Sequence, residues 1–168
     1  MGLMRKLMMG CAPGERILVN TTTATHSGSM PAMVMKVGAS YSVSWAGTIP
    51  SSNDNPYYLF DILGGSNNTG MCYAKITKGG LRTKLSIELL GTLLYSQTAH
   101  LGDSIALELR FKVNTVSTSS PYYTMDVELY VNGTQKVIGT ESGKINAGAD
   151  GLHHYSNAAG TFIIKKLS

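Results

Sequence analysis

Apolar and polar residues alternate with a period of two through most of this chain. In 104–114 every second residue is apolar, from Ile105 to Val113, and Glu108, Arg110 and Lys112 lie between them. A β-strand directs alternate side chains to opposite faces, whereas a helix would scatter these apolar residues around its circumference. The segment therefore predicts a strand with one buried face and one solvated face.

The same alternation, or a short apolar run, predicts further strands. They are 17–20, 32–37, 41–45, 57–63, 71–77, 84–89, 92–95, 125–131, 135–140 and 160–166. Asn132-Gly133 between two strands predicts a type I′ hairpin, which needs positive φ at both central residues. Lys78-Gly79-Gly80 is a second hairpin candidate, and 147–157 is the only segment where we expect a short helix.

The number and spacing of these strands predict an all-β fold. About ten strands with short turns and one polar face each favour an antiparallel two-sheet sandwich over 16–168. Residues 1–15 contain Gly10, Pro13 and Gly14 and have no clear periodicity. We expect them to form an N-terminal arm that is flexible or docks on a partner.

Charge is sparse along the chain. Only 14% of the 168 residues are charged, against about 25% in ordinary domains. The net charge of +4 is scattered singly or in pairs, which argues against a nucleic-acid or membrane partner. Such a weakly charged surface is suited to packing against other chains or sugars.

The two cysteines do not form a disulfide framework or a metal motif. Two free thiols at Cys11 and Cys72 are the simpler interpretation, and one bond that ties the arm to the domain stays open. The start of the chain is similar to a lipoprotein signal, because a small residue precedes Cys11. Its apolar stretch is too short for a signal peptide, so we expect no cleaved leader.

Three segments carry a family resemblance. Residues 127–133 read VELYVNG, 39–45 read ASYSVSW and 57–64 read YYLFDILG. Together they resemble concanavalin A-like lectin and laminin-G-like domains over roughly 30–168. One departure is that Asp103-Ser104 follow Gly102, where those domains carry a Trp-His pair.

The resemblance implies a jelly-roll, concanavalin-like sandwich of two antiparallel sheets. It also implies that a sheet face or a loop rim binds a ligand, often a glycan and sometimes with calcium. In composition, the Ser/Thr/Asn/Gly-rich chain with its short arm is similar to bacteriophage particle proteins.

No catalytic set is recognisable, so we expect no enzyme. Glycosidases of the concanavalin-like fold carry three clustered acids on one strand, but Tyr130 follows Asp126 and Glu128 at the third position. We interpret these two acids as part of a solvated face. His153 and His154 point to opposite faces of a strand, which disfavours a metal site.

We expect no cofactor, with calcium as the remaining possibility. Its candidate oxygen ligands are Asn53, Asp54, Asn55, Asp61, Asp103 and Asp150, although their spacing is not diagnostic.

Aromatic side chains are better binding candidates. In Tyr57-Tyr58 and Tyr122-Tyr123 we expect one ring to turn inward and the other outward. Outward tyrosines suit sugar stacking or protein contact. The candidate ligand-binding residues are Asn53, Asp54, Tyr57 and Tyr122. The candidate assembly residues of the arm are Arg5, Lys6, Leu7, Met8 and Met9.

Two functions fit these observations. The first is a non-enzymatic structural component of a bacteriophage particle, such as a capsid decoration or fibre/tail protein, located in the virion. Its partners would be other particle proteins or copies of itself, so a homo-oligomer is expected. The alternative is a lectin-like glycan-binding module for host or surface attachment, located outside the cell or on its surface.

Overall fold

The computed structural model describes most of the domain. The described residues are 14–22, 25–30, 33–50, 57–64, 69–79, 82–119, 122–144 and 152–168. In this part of the chain all regular structure is β-strand, and there is no helix that could cross a membrane. The proposed arm, including residues 5–9, falls almost wholly outside the described residues, as does Cys11.

Twelve strands make up the domain. In chain order they are β1 (Arg16–Thr21), β2 (His26–Met30), β3 (Ser40–Thr48), β4 (Tyr57–Gly64), β5 (Thr69–Gly79), β6 (Arg82–Leu89), β7 (Thr92–Ala99), β8 (Ser104–Val116), β9 (Tyr123–Val131), β10 (Thr134–Gly143), β11 (Leu152–Ser156) and β12 (Gly160–Lys166).

The strands form two antiparallel sheets of six. The first sheet has the order β1-β12-β3-β8-β9-β10, and the second has the order β2-β11-β4-β5-β6-β7. Inner side chains of both sheets fill one core, in which Trp45, Phe60 and Phe162 are fully buried. The rings of Phe60 and Phe162 lie 6.5 Å apart and join the two sheets. The prediction of an antiparallel two-sheet sandwich is confirmed.

Three local predictions need correction. Residues 33–36 are irregular, and a turn at Val37-Gly38 replaces the strand expected over 32–37. No helix forms over 152–157, because β11 pairs with β2 on one side and with β4 on the other. The sequence of β2, HSGSM, has no apolar alternation, and the strand was therefore not predicted.

The Asn132-Gly133 hairpin is confirmed by φ angles of 50° and 74°. The Asn132 side chain also accepts a hydrogen bond from the backbone N–H of Ala106 at 2.8 Å. Leu90-Gly91, with φ angles of 54° and 83°, makes a second turn with positive φ at both residues. Leu90 is buried there, so a leucine occupies a conformation that usually favours glycine.

Trp45 requires a gap in the inner surface of the first sheet. Its indole lies against Gly47 and Gly160, which are paired across β3 and β12. A Cβ added at Gly160 would lie 2.5 Å from Cε2 of Trp45, closer than side-chain atoms approach. These glycines therefore make room for the largest side chain of the core.

We expect Gly160→Ala to lower the free energy of unfolding by about 1–3 kcal/mol, because the added methyl group overpacks the core. Denaturant unfolding measures the change. Gly139→Ala is the matched control, since no heavy atom lies within 4 Å of its added Cβ. Equal stability of the Gly160→Ala variant and the wild type would contradict the described packing of Trp45.

Candidate functional site

The outer face of the second sheet carries a row of aromatic and acidic side chains. The strand register places Tyr155 opposite Asp61, Asp61 opposite Tyr73, and Tyr73 opposite Glu88. A neighbouring pair, Tyr58 and Lys75, lies across the same two strands, β4 and β5. We call Tyr58, Asp61, Tyr73, Lys75, Glu88 and Tyr155 the tyrosine cluster.

The three tyrosines pack edge to face. Tyr58 lies between the other two, with ring centroids 6.3 Å from Tyr73 and 6.1 Å from Tyr155. The Lys75 ammonium lies 5.7 Å from the centroid of Tyr58 and 5.2 Å from that of Tyr73. Such cation–π contacts hold the lysine and both rings in place. The cluster is thus an ordered, half-buried aromatic surface.

Asp61 has the least favourable environment of the polar groups in this cluster. Its Oδ1 atom is sealed from solvent, and no hydrogen-bond donor among the described residues reaches it. Burial raises the pKa of the Asp61 carboxyl from 3.8 to about 6, although the nearby Lys75 ammonium acts in the opposite direction. A buried carboxylate oxygen without a donor lowers the stability of the fold.

Glu88 fixes the orientation of Tyr73. The Tyr73 hydroxyl donates a hydrogen bond to Oε2 of Glu88 at 2.6 Å. Burial and this hydrogen bond raise the pKa of Tyr73 to about 12, so the phenol stays protonated at neutral pH. Tyr73 therefore presents a ring of fixed orientation.

A cleft of about 410 Å³ adjoins the cluster and shares Tyr155 with it. On its wall, Oγ of Ser29 and Nδ1 of His153 are hydrogen-bonded at 3.0 Å. His154 turns the other way and packs on Phe162, with ring centroids 5.8 Å apart. The expectation that these two histidines point to opposite faces is confirmed.

The residues predicted to bind ligand are not assembled into one site by the described structure. Asn53 and Asp54 lie outside the described residues. Tyr57 opens β4 of the second sheet and packs on the core, whereas Tyr122 precedes β9 of the first sheet and lies under the Lys144 ammonium. Their role in binding stays a prediction.

The sequence predicts one inward and one outward ring in the Tyr57-Tyr58 pair, and the structure agrees. The outward ring is however Tyr58, whereas the candidate binding residue Tyr57 packs against the core. Asp61 had been considered only as a calcium ligand. Tyr73 and Lys75 were missed, although each occupies an outward position of an alternating strand. Tyr155 was missed because its strand, β11, was not predicted.

The acids Asp126 and Glu128 occupy the outer face of the first sheet. Thr140 and Asn114 donate hydrogen bonds to Asp126 and lower its pKa. Glu128 accepts a hydrogen bond from the Tyr130 hydroxyl at 2.8 Å. A carboxyl group with a lowered pKa is a poor general acid, which agrees with the interpretation of a solvated face.

Candidate metal ligands are sparse in the described part of the chain. It contains no group of three His, Cys, Asp or Glu side chains placed to hold an ion. Cys72 is a buried free thiol, and burial raises its pKa well above 9.0. Of the candidate calcium ligands, Asn53, Asp54, Asn55 and Asp150 lie outside the described residues.

No protein-family model matches the chain, and no curated protein matches its sequence. Among solved structures it is similar to human galectin-16 R55N, at 12% identity and a TM-score of 0.42, covering 86% of this chain and 94% of that one. Sheep galectin-11 in complex with glycerol is 12% identical, with a TM-score of 0.40, covering 84% and 95%.

The alginate lyase AlgAT5 from polysaccharide lyase family 7 is also similar, at 12% identity and a TM-score of 0.41. That match covers 76% of this chain and 56% of the lyase, so the chain spans little more than half of its length. Galectins and alginate lyases are both concanavalin-like β-sandwiches. At this identity the similarity concerns the fold alone.

We expect Asp61→Asn to stabilise the protein at pH 7.5 by about 1–2 kcal/mol, after allowance for solvent screening of this partly exposed group. Because the folded-state pKa of about 6 exceeds 3.8, the wild type gains stability as the pH falls from above 6 to below 4. The variant should lack this gain.

Denaturant unfolding at several pH values between 4 and 7.5 measures the effect. Asp103→Asn, at an exposed turn, is the matched control and should keep the gain in stability that Asp61 gives at low pH. A less stable Asp61→Asn protein at pH 7.5 would mean that the attraction of Lys75 outweighs the burial of the carboxylate, contrary to our description.

Proposed function

We propose that the chain is a non-enzymatic glycan-binding module whose ligand lies on the tyrosine cluster. The observation that carries the proposal is the row of three fixed tyrosine rings, with the Lys75 ammonium over two of them, on an outer sheet face. A sugar ring has an apolar C–H face that packs on aromatic rings and a rim of hydroxyl groups. The cluster offers a complement to both parts.

The polar groups of the cluster have separable roles in this proposal. Asp61 is half-buried, and its Oδ2 atom, unlike the sealed Oδ1, would accept a hydrogen bond from a ligand hydroxyl, while Lys75 donates one to a ligand oxygen. The rings of Tyr58 and Tyr155 provide the packing surface, while Glu88 keeps Tyr73 in position. Since most of these contacts exist before binding, little side-chain entropy is lost when the ligand binds.

Binding without catalysis fits the arrangement of the acids. Asp61 and Glu88 lie on strands separated by β5, so roughly 10 Å separates their backbones. The Tyr73 side chain occupies the space between them, where a glycosidase would hold the scissile bond. Cleavage of a bound glycan by the purified protein would overturn this part of the proposal.

A glycan array probed with the purified chain tests the proposal. We expect binding at neutral pH, and Tyr58→Ala and Tyr155→Ala each to weaken it at least about tenfold by removing aromatic contact area. Tyr122→Ala distinguishes the cluster from the other predicted site: it should leave binding unchanged if the ligand lies on the cluster, because Tyr122 precedes β9 of the first sheet. If the chain binds no glycan on the array, either with or without calcium, the proposal is wrong.

The pH dependence gives an independent readout. A ligand that donates a hydrogen bond to ionised Asp61 favours the deprotonated carboxyl, so affinity should fall as the pH drops below about 6. We expect a loss of about tenfold between pH 7 and pH 4.5, measured by titration calorimetry. The Asp61→Asn variant should bind weakly and without this dependence.

A structural role in a bacteriophage particle is a second proposal. It is supported by the low charged fraction of 14% and by apolar side chains on the surface, of which Ile138 is 71% exposed and Val37 is 65% exposed. Particle proteins or further copies of the chain would cover these side chains, and the N-terminal arm would contribute. The chain would then co-purify with the virion, and its absence from purified particles would exclude this role.

A further inference from the structure

The outer face of the first sheet has a trough beside a ridge. Small side chains on β3, namely Ser42, Ser44 and Ala46, form the floor of a groove of about 770 Å³. The adjacent strand β8 carries the larger Glu108 and Arg110. The small residues of β3 thus form a trough, and the long side chains of β8 form a ridge beside it. Another surface of complementary shape can pack against both.

The ridge is held in place by its own contacts. Arg110 donates hydrogen bonds to both carboxylate oxygens of Glu108, at 2.9 and 3.0 Å. Its guanidinium lies 4.9 Å from the centroid of the Tyr130 ring, and the Tyr130 hydroxyl is bonded to Glu128. These contacts fix the side chains before any partner arrives, which lowers the entropy lost on association.

One row of outward side chains runs straight across all six strands. From β1 to β10 the register gives Ile17, Lys165, Ser42, Arg110, Glu128 and Ile138. The row has an exposed isoleucine at each end, 42% exposed at one end and 71% at the other. A basic residue lies second from one end, and an acidic residue lies second from the other.

A second copy that presents this row in the opposite order would be complementary to it. A twofold axis that runs along the strands between β3 and β8 would place Ile17 over the partner's Ile138 and Lys165 over the partner's Glu128. The Lys165 ammonium also lies 3.6 Å from a carboxylate oxygen of Glu15 in its own chain, so in the dimer it would lie between two carboxylates. Ser42, only 3% exposed at the bottom of the trough, would face the partner's Arg110. The three contacts are apolar with apolar, cation with anion, and small with large.

The next row repeats the pattern under the same axis. It consists of Asn20, Ile163, Ser44, Glu108, Tyr130 and Gln135. The twofold rotation would place Ile163 against the partner's Tyr130 and Ser44 against the partner's Glu108. At the ends, Asn20 meets the partner's Gln135, and two amides can hydrogen-bond to each other.

We infer that two copies of the chain form a twofold-symmetric dimer through the outer faces of their first sheets. The β8 ridge of each copy fills the β3 trough of the other. Aligned packing of two sheets at a separation of about 10 Å is a standard arrangement of β structure. A twofold interface of this kind uses the same surface on both partners, as the two rows require.

The size of the face is adequate for a stable dimer. Six strands at about 4.8 Å and a strand length of about 23 Å give an area of roughly 650 Å² on each copy. Standard protein interfaces bury about 800 Å² per partner. The second copy therefore meets nearly the area that a specific interface needs, with charge complementarity in addition.

Analytical ultracentrifugation of the full chain at increasing concentration tests the inference. We expect a reversible change from the 17.9 kDa monomer to a species of twice that mass. Lys165→Glu and Glu128→Lys should each raise the dimer dissociation constant about tenfold, because both symmetric charge pairs become repulsive. The double variant should restore the wild-type value, since the pairs are re-formed with their signs exchanged.

Matched controls separate this interface from an effect of net charge. Lys84→Glu on the second sheet and Asp103→Lys in a turn make the same charge changes at exposed positions outside the face and should leave dimerisation unchanged. Ile138→Asp should weaken the dimer without affecting folding, because the side chain is 71% exposed in the monomer. Thermal melting checks that each variant is folded.

Several outcomes would overturn the inference. They are a chain that stays monomeric at its highest soluble concentration, a dimer insensitive to both single charge reversals, a double variant that remains weak, and control variants that weaken the dimer equally. A monomer whose first-sheet face binds a glycan or an unrelated protein instead would also do so. In that case the face has a different occupant.

Discussion

The structure depends on the packing of side chains between the inner faces of its two sheets. Trp45, Phe60 and Phe162 have no room to move by one position, and a slip of one residue along any strand would turn its core side chains to solvent. The core thus sets the register of every strand. Because register also decides which outward side chains are neighbours, both surfaces of the sandwich inherit their order from the core.

Strands with strong alternation could be located from the sequence, and β8 and β9 follow their predicted spans closely. One missed strand, β11, has polar residues that face inward. In β11, His154 and Ser156 occupy buried positions, so the segment has no apolar period to recognise. It is a strand because β2 and β4 pair with it on both sides, which is tertiary information that overrides local preference.

The candidate site was harder to predict than the fold for a related reason. Asp61 and Tyr73 lie on consecutive strands, but Tyr155 arrives from far along the chain through the crossover that inserts β11 beside β4. Sequence reasoning favoured loops, where Asn53 and Asp54 stand, because turn residues are recognisable one by one. A cluster built across strands is recognisable only once the order of strands in the sheet is known.

The tyrosine cluster and the trough belong to opposite outer surfaces of the same sandwich. If the troughs of two copies close on each other, the two clusters point away from one another in opposite directions. Such a dimer has two binding sites that face opposite directions. It therefore bridges two separate surfaces more readily than it binds twice to one surface. Its effective strength would then rise steeply with the density of sugars on each surface, even where a single site binds weakly.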